Sequence, residues 1–117
     1  MIKDIIILGS TGSIGQSTLK SLSKDKNFRI KLLTTNKNLK SIYNQAIDKK
    51  DKNIIVENED EFNKNKLKFK KKKINLYLGI NNINKIIKKK TTYCINAISG
   101  INGLEPTLKA IPLTKNI

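Results

Sequence analysis

The chain has 117 residues, of which 38% are hydrophobic, a size that fits one domain with a modest core. Its formal net charge is +15, yet nearly all of the 24 basic residues are lysines, and no zinc-finger, RNP or helix-turn-helix pattern accompanies them. No apolar run reaches the roughly 18 residues of a membrane span, and the single cysteine, Cys94, excludes an internal disulfide. We therefore expect a soluble, cytoplasmic protein without a membrane partner, in which Cys94 belongs to the core.

Strand-like and helical segments alternate along the chain. Continuous apolar runs predict strands, and apolar residues at three- and four-residue spacings predict helices. The predicted strands are Asp4–Leu8, Phe28–Thr34, Asn53–Val56, Ile74–Leu78 and Thr91–Ile98. The predicted helices are Ile14–Leu22, Leu39–Ile47, Glu57–Lys72, Asn82–Lys89 (with Ile83, Ile86 and Ile87 inward) and Leu104–Ile111. This alternation predicts an α/β fold, a Rossmann-like doubly wound parallel sheet with helices on both faces.

A glycine-punctuated turn connects the first predicted strand to the first predicted helix. Its sequence from Gly9 to Gly15 is G-S-T-G-S-I-G. Glycines allow a sharp turn and a close approach to a ligand, while the free N–H groups at a helix start attract a pyrophosphate. Thr11 and Ser13 add hydroxyl donors. The spacing differs from the common G-x-G-x-x-G fingerprint, so an ordinary strand-to-helix turn is the alternative interpretation.

The end of the second predicted strand indicates which dinucleotide is bound. An acidic residue there pairs with the ribose hydroxyls of NAD, whereas a basic residue accommodates the 2′-phosphate of NADP. The segment Thr34–Asn38 contains no carboxylate, and Lys37 supplies a cation. This favours NADP(H) over NAD(H), although a chance lysine is the alternative in so lysine-rich a chain.

Two segments together resemble one family, the 1-deoxy-D-xylulose-5-phosphate reductoisomerases of the non-mevalonate isoprenoid pathway. Ile7–Gly15 matches the family's opening L-G-S-T-G-S-I-G. Ala97–Ile111 is similar to the family's A-I-x-G-x-x-G-L-x-P-T-L-x-A-I. The order and separation of the segments also agree, and the resemblance covers essentially the whole chain.

The resemblance implies specific contacts with NADPH. Thr11 to Ile14 would contact the pyrophosphate and its surroundings, and Lys37 and Asn38 would lie at the adenosine 2′-phosphate. The family usually has glycine at Asn36, and because asparagine tolerates a left-handed backbone, we expect the turn to persist with looser binding. Ser99–Gly103 would border the nicotinamide, or would serve only as a turn. The predicted cofactor-binding residues are Gly9, Thr11, Gly12, Ser13, Ile14, Asn36, Lys37 and Asn38.

The resemblance also implies an activity for the full-length enzyme. In the family, NADPH and a divalent metal, Mg or Mn, serve the rearrangement and reduction of the sugar phosphate 1-deoxy-D-xylulose 5-phosphate to 2-C-methyl-D-erythritol 4-phosphate by a homodimer. The chain ends at Ile117 without the family's L-A-N-K-E segment. Residues 1–117 are therefore expected to form an N-terminal NADPH-binding domain that lacks the catalytic and C-terminal domains, with no catalytic or metal-binding residue and no activity alone.

The acidic residues are expected to be solvated. They are predicted to lie in loops or at helix starts, away from strand ends: Asp48, Asp51, Glu57, Glu59, Asp60 and Glu61. Two alternative functions remain open. One is the cofactor domain of another NADP-dependent reductase, such as a semialdehyde dehydrogenase. The other is a non-catalytic basic module that binds nucleic acid or an acidic partner through Lys64–Lys73, although a solvated lysine face without a nucleic-acid partner is favoured.

Overall fold

The computed structural model describes residues 2–47, 52–98 and 104–117, and the side chains of Leu104 and Glu105 are outside the description. The strands of the described part are β1 Lys3–Leu8, β2 Phe28–Thr35, β3 Asn53–Val56, β4 Asn75–Leu78, β5 Thr91–Asn96 and β6 Thr114–Asn116. The α-helices there are α1 Ser13–Ser23, α2 Leu39–Ala46, α3 Glu59–Lys71, α4 Ile83–Ile86 and α5 Leu104–Ala110. Short 3-10 turns occupy Ile80–Asn82 and Ile111–Leu113.

These strands form one parallel sheet in the order β4-β3-β2-β1-β5-β6. The chain builds outward from β1 to β4 in one direction and then returns to place β5 on the other side of β1. This reversal is a topological switch point, where the connections after the two central strands diverge and leave a crevice at their carboxyl ends. The fold therefore predicts a binding site beyond the ends of β1 and β5.

Each face of the sheet has its own hydrophobic core. Because side chains alternate along a strand, Ile5 and Ile7 of β1 enter one core, while Ile6 and Leu8 enter the other. The first core is completed by α1, α2 and α3 and includes Leu19, Leu39, Ile42, Ala46 and Phe69. The second includes Ile80, Ile83, Ile87, Cys94 and Ala110. The predicted doubly wound α/β fold is thus confirmed.

The lysine-rich helix α3 is confirmed despite its irregular apolar pattern. The side chain of Asn58 caps it by accepting a hydrogen bond from the Glu61 N–H at 2.9 Å. Acidic residues occupy its first turn and lysines its last turn, an order that complements the helix dipole. After the helix, Lys73 has a φ of 60°, and the Ile74 N–H donates to the Phe69 carbonyl at 3.0 Å. This is a Schellman ending, with lysine at the position that usually holds glycine.

The predicted helix Asn82–Lys89 is wrong in its extent. The structure has a 3-10 turn followed by a single α-helical turn, and Ile87 is already extended with φ −96° and ψ 105°. β-Branched isoleucines and asparagines have low helix propensity, and the Asn82 side chain donates to the Gly79 carbonyl at 3.3 Å. Ile83 and Ile87 are nevertheless buried, as predicted, while Ile86 is half-buried.

Strand β6 was not predicted, and β5 ends at Asn96 and not at Ile98. In β6, Thr114 pairs with Thr91 of β5, and its hydroxyl donates to the Thr91 carbonyl at 3.3 Å. A three-residue strand is too short to show an alternating pattern, so its pairing partner determines it. No helix within residues 2–47, 52–98 and 104–117 is long and apolar enough to cross a bilayer.

Candidate functional site

A cleft of about 500 Å³ opens at the carboxyl edge of the sheet, beyond the ends of β1, β2, β3 and β5. The residues that line it are Gly9, Thr11, Gly12, Thr34, Thr35, Asn36, Lys37, Asn38, Glu57, Ile80, Ala97, Ile98 and Pro106. The structure therefore brings together the two segments that the sequence predicted to bind a dinucleotide. Ser13 and Ile14 of the predicted set start α1 beside the cleft without lining it.

Two glycines of the turn are required by close packing. Gly9 has a φ of 74°, and a Cβ there would lie 2.7 Å from Cγ1 of Ile98. A Cβ on Gly15 would lie 2.2 Å from the carbonyl oxygen of Gly9. In contrast, the nearest atom to a Cβ on Gly12 would be 3.8 Å away. Gly15 was not among the predicted site residues, although its place in the motif signals the close helix-to-strand packing that the structure has.

The start of α1 presents main-chain donors beside the cleft. Gly12 is the N-cap and has no side chain to cap the helix, and the first intrahelical bond comes from the Gln16 N–H to the Gly12 carbonyl at 2.8 Å. By helix geometry, the amides of Ser13, Ile14 and Gly15 have no intrahelical acceptor. Ser13 is exposed and Ile14 is 66% exposed, so this end of the helix is open to solvent. Such an end attracts anions.

Two buried threonines at the end of β2 connect it to the glycine turn. Thr34 Oγ1 accepts a hydrogen bond from the Gly9 N–H at 2.9 Å, and the Thr34 carbonyl accepts from the Ser10 N–H at 3.0 Å. The hydroxyls of Thr35 and Thr11 are hydrogen-bonded at 2.8 Å. Sequence reasoning missed both as site residues; the only signal was a polar pair at the end of an apolar strand.

Ser10 ties the glycine turn to helix α2. Its side chain is fully buried and donates to Gln45 Oε1 at 2.8 Å, while Gln45 Nε2 donates back to the Ser10 carbonyl at 2.9 Å. Gln16 Nε2 donates to the Thr11 carbonyl at 2.6 Å. Two carbonyls of the turn therefore accept hydrogen bonds from side chains. The main-chain N–H groups are then the main groups with which the turn can bind an anion.

The second turn of the cleft, Asn36–Asn38, is exposed throughout. The Asn36 carbonyl accepts hydrogen bonds from the N–H groups of Glu57 at 3.2 Å and Asn58 at 2.8 Å. Asn36 does not adopt the left-handed backbone that asparagine tolerates: among the described residues, Lys73 is the non-glycine residue with positive φ. The amides that follow β3 fix this turn, so it does not need the left-handed conformation that glycine favours.

The side chains of Lys37 and Asn38 have different functions in this turn. Asn38 is the N-cap of α2, and its Oδ1 accepts from the Ser41 N–H at 3.2 Å. Its side chain therefore already has a structural function. The Lys37 carbonyl accepts from the Leu39 N–H at 2.9 Å, and its side chain extends from an exposed position in the cleft wall. Lys37 is thus the cation of this turn.

Glu57 corrects the prediction that the acidic residues avoid strand ends. It follows Val56, the last residue of β3, and lines the cleft. Glu59, Asp60 and Glu61 lie in the first turn of α3, as predicted, whereas Asp48 and Asp51 are outside the described residues. The part of the chain that the structure describes contains no group of three or more His, Cys, Asp or Glu side chains that could hold a metal ion.

The far wall of the cleft is more apolar. Ala97 and Ile98 follow β5, and the Ala97 N–H donates to the Leu8 carbonyl at 2.9 Å. Ile80 and Pro106 complete this wall. The predicted nicotinamide-side segment, Ser99–Gly103, lies outside the described residues.

Cys94 belongs to the core, as predicted. It is 1% exposed, and burial raises the pKa of its thiol to about 11. Because the thiolate is the nucleophile and the metal ligand, this cysteine is unreactive near neutral pH. It therefore takes no part in the chemistry of the cleft.

Comparison with known proteins gives consistent results. The family model described as 1-deoxy-D-xylulose 5-phosphate reductoisomerase matches residues 5–117. The chain is 43% identical over 119 residues to the 1-deoxy-D-xylulose 5-phosphate reductoisomerase of Pelagibacter ubique, covering 99% of this chain and 31% of the relative. For the enzyme of that name from a Thermoanaerobacter species, the identity is 35% over 117 residues, covering 99% and 30%. The chain thus spans about a third of the length of these curated relatives.

Solved structures share the fold. The Zymomonas mobilis 1-deoxy-D-xylulose 5-phosphate reductoisomerase in complex with NADPH superimposes with a TM-score of 0.83 at 24% identity, covering 99% of this chain and 32% of that one. A reductoisomerase in complex with NADPH, fosmidomycin and magnesium gives a TM-score of 0.80 at 26% identity, covering 93% and 28%.

Proposed function

This chain belongs to the 1-deoxy-D-xylulose 5-phosphate reductoisomerase family, and from that membership we propose that residues 1–117 form the NADPH-binding domain of such an enzyme. The observation that carries the proposal is the single cleft in which a sterically required glycine turn faces a turn with an exposed lysine. The first feature suits a pyrophosphate, and the second suits a 2′-phosphate. Two solved relatives that share the fold are NADPH complexes.

The described residues fit this cofactor. The pyrophosphate would meet the amides of Ser13 and Ile14 at the start of α1 and the hydroxyl of Thr11, beside Gly12, whose own N–H donates to the Gly9 carbonyl at 3.3 Å. The 2′-phosphate would meet Lys37, with Asn36 and Asn38 shaping the turn around it. When bound, NADPH supplies a hydride; the protein's part is to position the cofactor and to surround it with suitable charges. Gly9 would serve through its shape, because a Cβ there would lie 2.7 Å from Cγ1 of Ile98, while its amide donates to Thr34 Oγ1.

The remaining steps of the family reaction would require parts of a longer protein. We propose that such a protein rearranges and reduces 1-deoxy-D-xylulose 5-phosphate to 2-C-methyl-D-erythritol 4-phosphate as a cytoplasmic homodimer, and that residues 1–117 alone are inactive. The short span relative to the curated relatives supports this division. The divalent metal, Mg or Mn, would be held outside the described residues, which contain no group of three or more His, Cys, Asp or Glu side chains placed to hold it.

Titration of the purified chain with NADPH and with NADH tests the proposal. We expect saturable binding that favours NADPH. Lys37→Asp should weaken NADPH binding by about tenfold or more, equal to about 1.4 kcal/mol, and leave NADH binding nearly unchanged. Lys26→Asp is the matched control, because Lys26 is exposed and precedes β2 at the opposite edge of the sheet. A folded chain that binds neither dinucleotide would contradict the proposal.

We propose that the lysines of α3 form a solvated face and bind no nucleic acid. Part of this face packs against its own fold: Lys68 Nζ lies 4.5 Å from the centre of the Tyr43 ring. A gel-shift assay at physiological ionic strength should show no complex with DNA or RNA. A salt-sensitive shift that is lost when Lys64, Lys66 and Lys70 are changed together to glutamine would instead support the basic-module alternative.

A further inference from the structure

Two residues of opposite charge line the cleft on the side of β2 and β3. Lys37 lies in the turn after β2, and Glu57 lies directly after β3. The Glu57 N–H donates to the Thr35 carbonyl at 3.1 Å and to the Asn36 carbonyl at 3.2 Å. These bonds fix the backbone of Glu57 to the turn that carries Lys37. The backbone of Glu57 is therefore bonded to the residue that precedes Lys37, and both residues line the same cleft.

We propose that Glu57 lowers the preference of this cleft for NADPH over NADH, and this inference rests on the proposed function. The 2′-phosphate of NADPH is strongly anionic, so a neighbouring carboxylate opposes it directly and also competes with it for Lys37. Both effects act in the same direction. NADH has only hydroxyls on that ribose, and a carboxylate can accept hydrogen bonds from them. Glu57 thus weakens the binding of NADPH and leaves the binding of NADH unchanged or strengthens it.

The nearby acidic residues do not share this arrangement. Glu59, Asp60 and Glu61 occupy the first turn of α3 and do not line the cleft. Glu59 and Asp60 are exposed, as Glu57 is, so these residues differ from Glu57 in their position relative to the cleft and not in burial. Glu59 therefore provides a control of the same residue type and charge, two positions further along the chain.

The test is parallel titration of NADPH and NADH with the wild-type chain, Glu57→Gln and Glu59→Gln, at low salt and again at about 0.5 M salt. We expect Glu57→Gln to tighten NADPH binding by roughly three- to tenfold, with NADH unchanged or weakened. The gain should shrink at high salt. Glu59→Gln should leave the ratio of the two dissociation constants within about twofold of wild type. Circular dichroism verifies that each variant is folded.

The outcomes separate this inference from the proposed function. If the wild-type chain prefers NADPH and Glu57→Gln leaves the ratio unchanged or weakens NADPH binding, the role of Glu57 is overturned and the proposed function stands. If Glu59→Gln raises the ratio as much as Glu57→Gln does, a general charge effect replaces the specific one. If the folded wild-type chain binds neither dinucleotide, both proposals fail.

Discussion

The two turns that form the cleft are held in place by different kinds of interaction. In the turn after β1, Gly9 and Gly15 leave no room for a side chain, so the backbone path and the donors at the start of α1 depend on atomic contact. In the turn after β2, residues 36–38 are exposed, and hydrogen bonds from the amides that follow β3 hold the backbone. Under the proposed function, recognition of a pyrophosphate by main-chain groups would therefore tolerate little change, whereas selectivity at the 2′-phosphate would depend on replaceable surface charges.

Gly15→Ala should cause the largest loss of stability and of NADPH binding. The added Cβ would lie 2.2 Å from the Gly9 carbonyl oxygen and 2.7 Å from Cα of Ser10, so α1 or the turn must move. We expect a loss of about 3 kcal/mol in the free energy of unfolding, measured by urea denaturation, together with loss of NADPH binding. Gly12→Ala is the control, since its Cβ would lie 3.8 Å from its nearest neighbour, an ordinary van der Waals distance; it should keep the chain folded and weaken only dinucleotide binding. Equal stability of the two variants would refute the steric argument.

Thr34→Val tests the link between the turns. It removes the acceptor for the Gly9 N–H, and we expect a loss of about 1 to 2 kcal/mol in the free energy of unfolding. Binding of NADPH and NADH should weaken in parallel, because the position of the glycine turn affects both. Thr92→Val, on β5 near the opposite edge of the sheet, is the control and should change neither quantity much. A change in the NADPH to NADH ratio alone would argue against a positioning role for Thr34.

Lys73→Gly separates backbone conformation from packing. Gly9 and Lys73 have similar φ values, 74° and 60°, but Lys73 is exposed. Glycine should relieve the left-handed conformation and raise the free energy of unfolding by about 1 kcal/mol, measured by thermal and urea unfolding. Lys72→Gly should do the opposite, because Lys72 has a φ of −94°. Destabilisation by Lys73→Gly would show that the lysine side chain contributes more than its conformation costs.

Asn36→Gly should have the smallest effect. Because Asn36 is not left-handed, glycine gains no conformational relief there and adds freedom to the unfolded chain. We expect a loss of about 0.5 kcal/mol in the free energy of unfolding and no tighter NADPH binding. A clear gain in affinity, measured by the same titration, would mean that the side chain of Asn36 obstructs the cofactor.

Periodicity and spacing predicted most of the fold. The buried strands and α1 to α3 were identified within two residues at each end, since continuous apolar runs and one-sided apolar faces directly reflect burial. The extent of α4 and the existence of β6 were not predicted, because each element is too short to show a periodic pattern of apolar residues. Their structures depend on packing against the rest of the chain.

The candidate site was predictable only in part. The glycine motif and Lys37 could be identified because their chemistry is local in sequence. Thr34 and Glu57 could not, because their importance arises from the neighbouring strands: Thr34 faces the turn after β1, and Glu57 shares a cleft with the turn after β2. The conformation of Asn36 could not be predicted for the same reason, since amides that lie about 20 residues further along the chain fix it.

The strand order has a consequence for synthesis on the ribosome. The first 78 residues supply β1 to β4 and α1 to α3, which is enough to complete one core and one face. Until β5 emerges, the free edge of β1 and the apolar side chains of Ile6 and Leu8 face water. An open strand edge beside an apolar surface is the arrangement that promotes association between nascent chains. The strand that leads into the glycine turn is thus open to such association until β5 pairs with it.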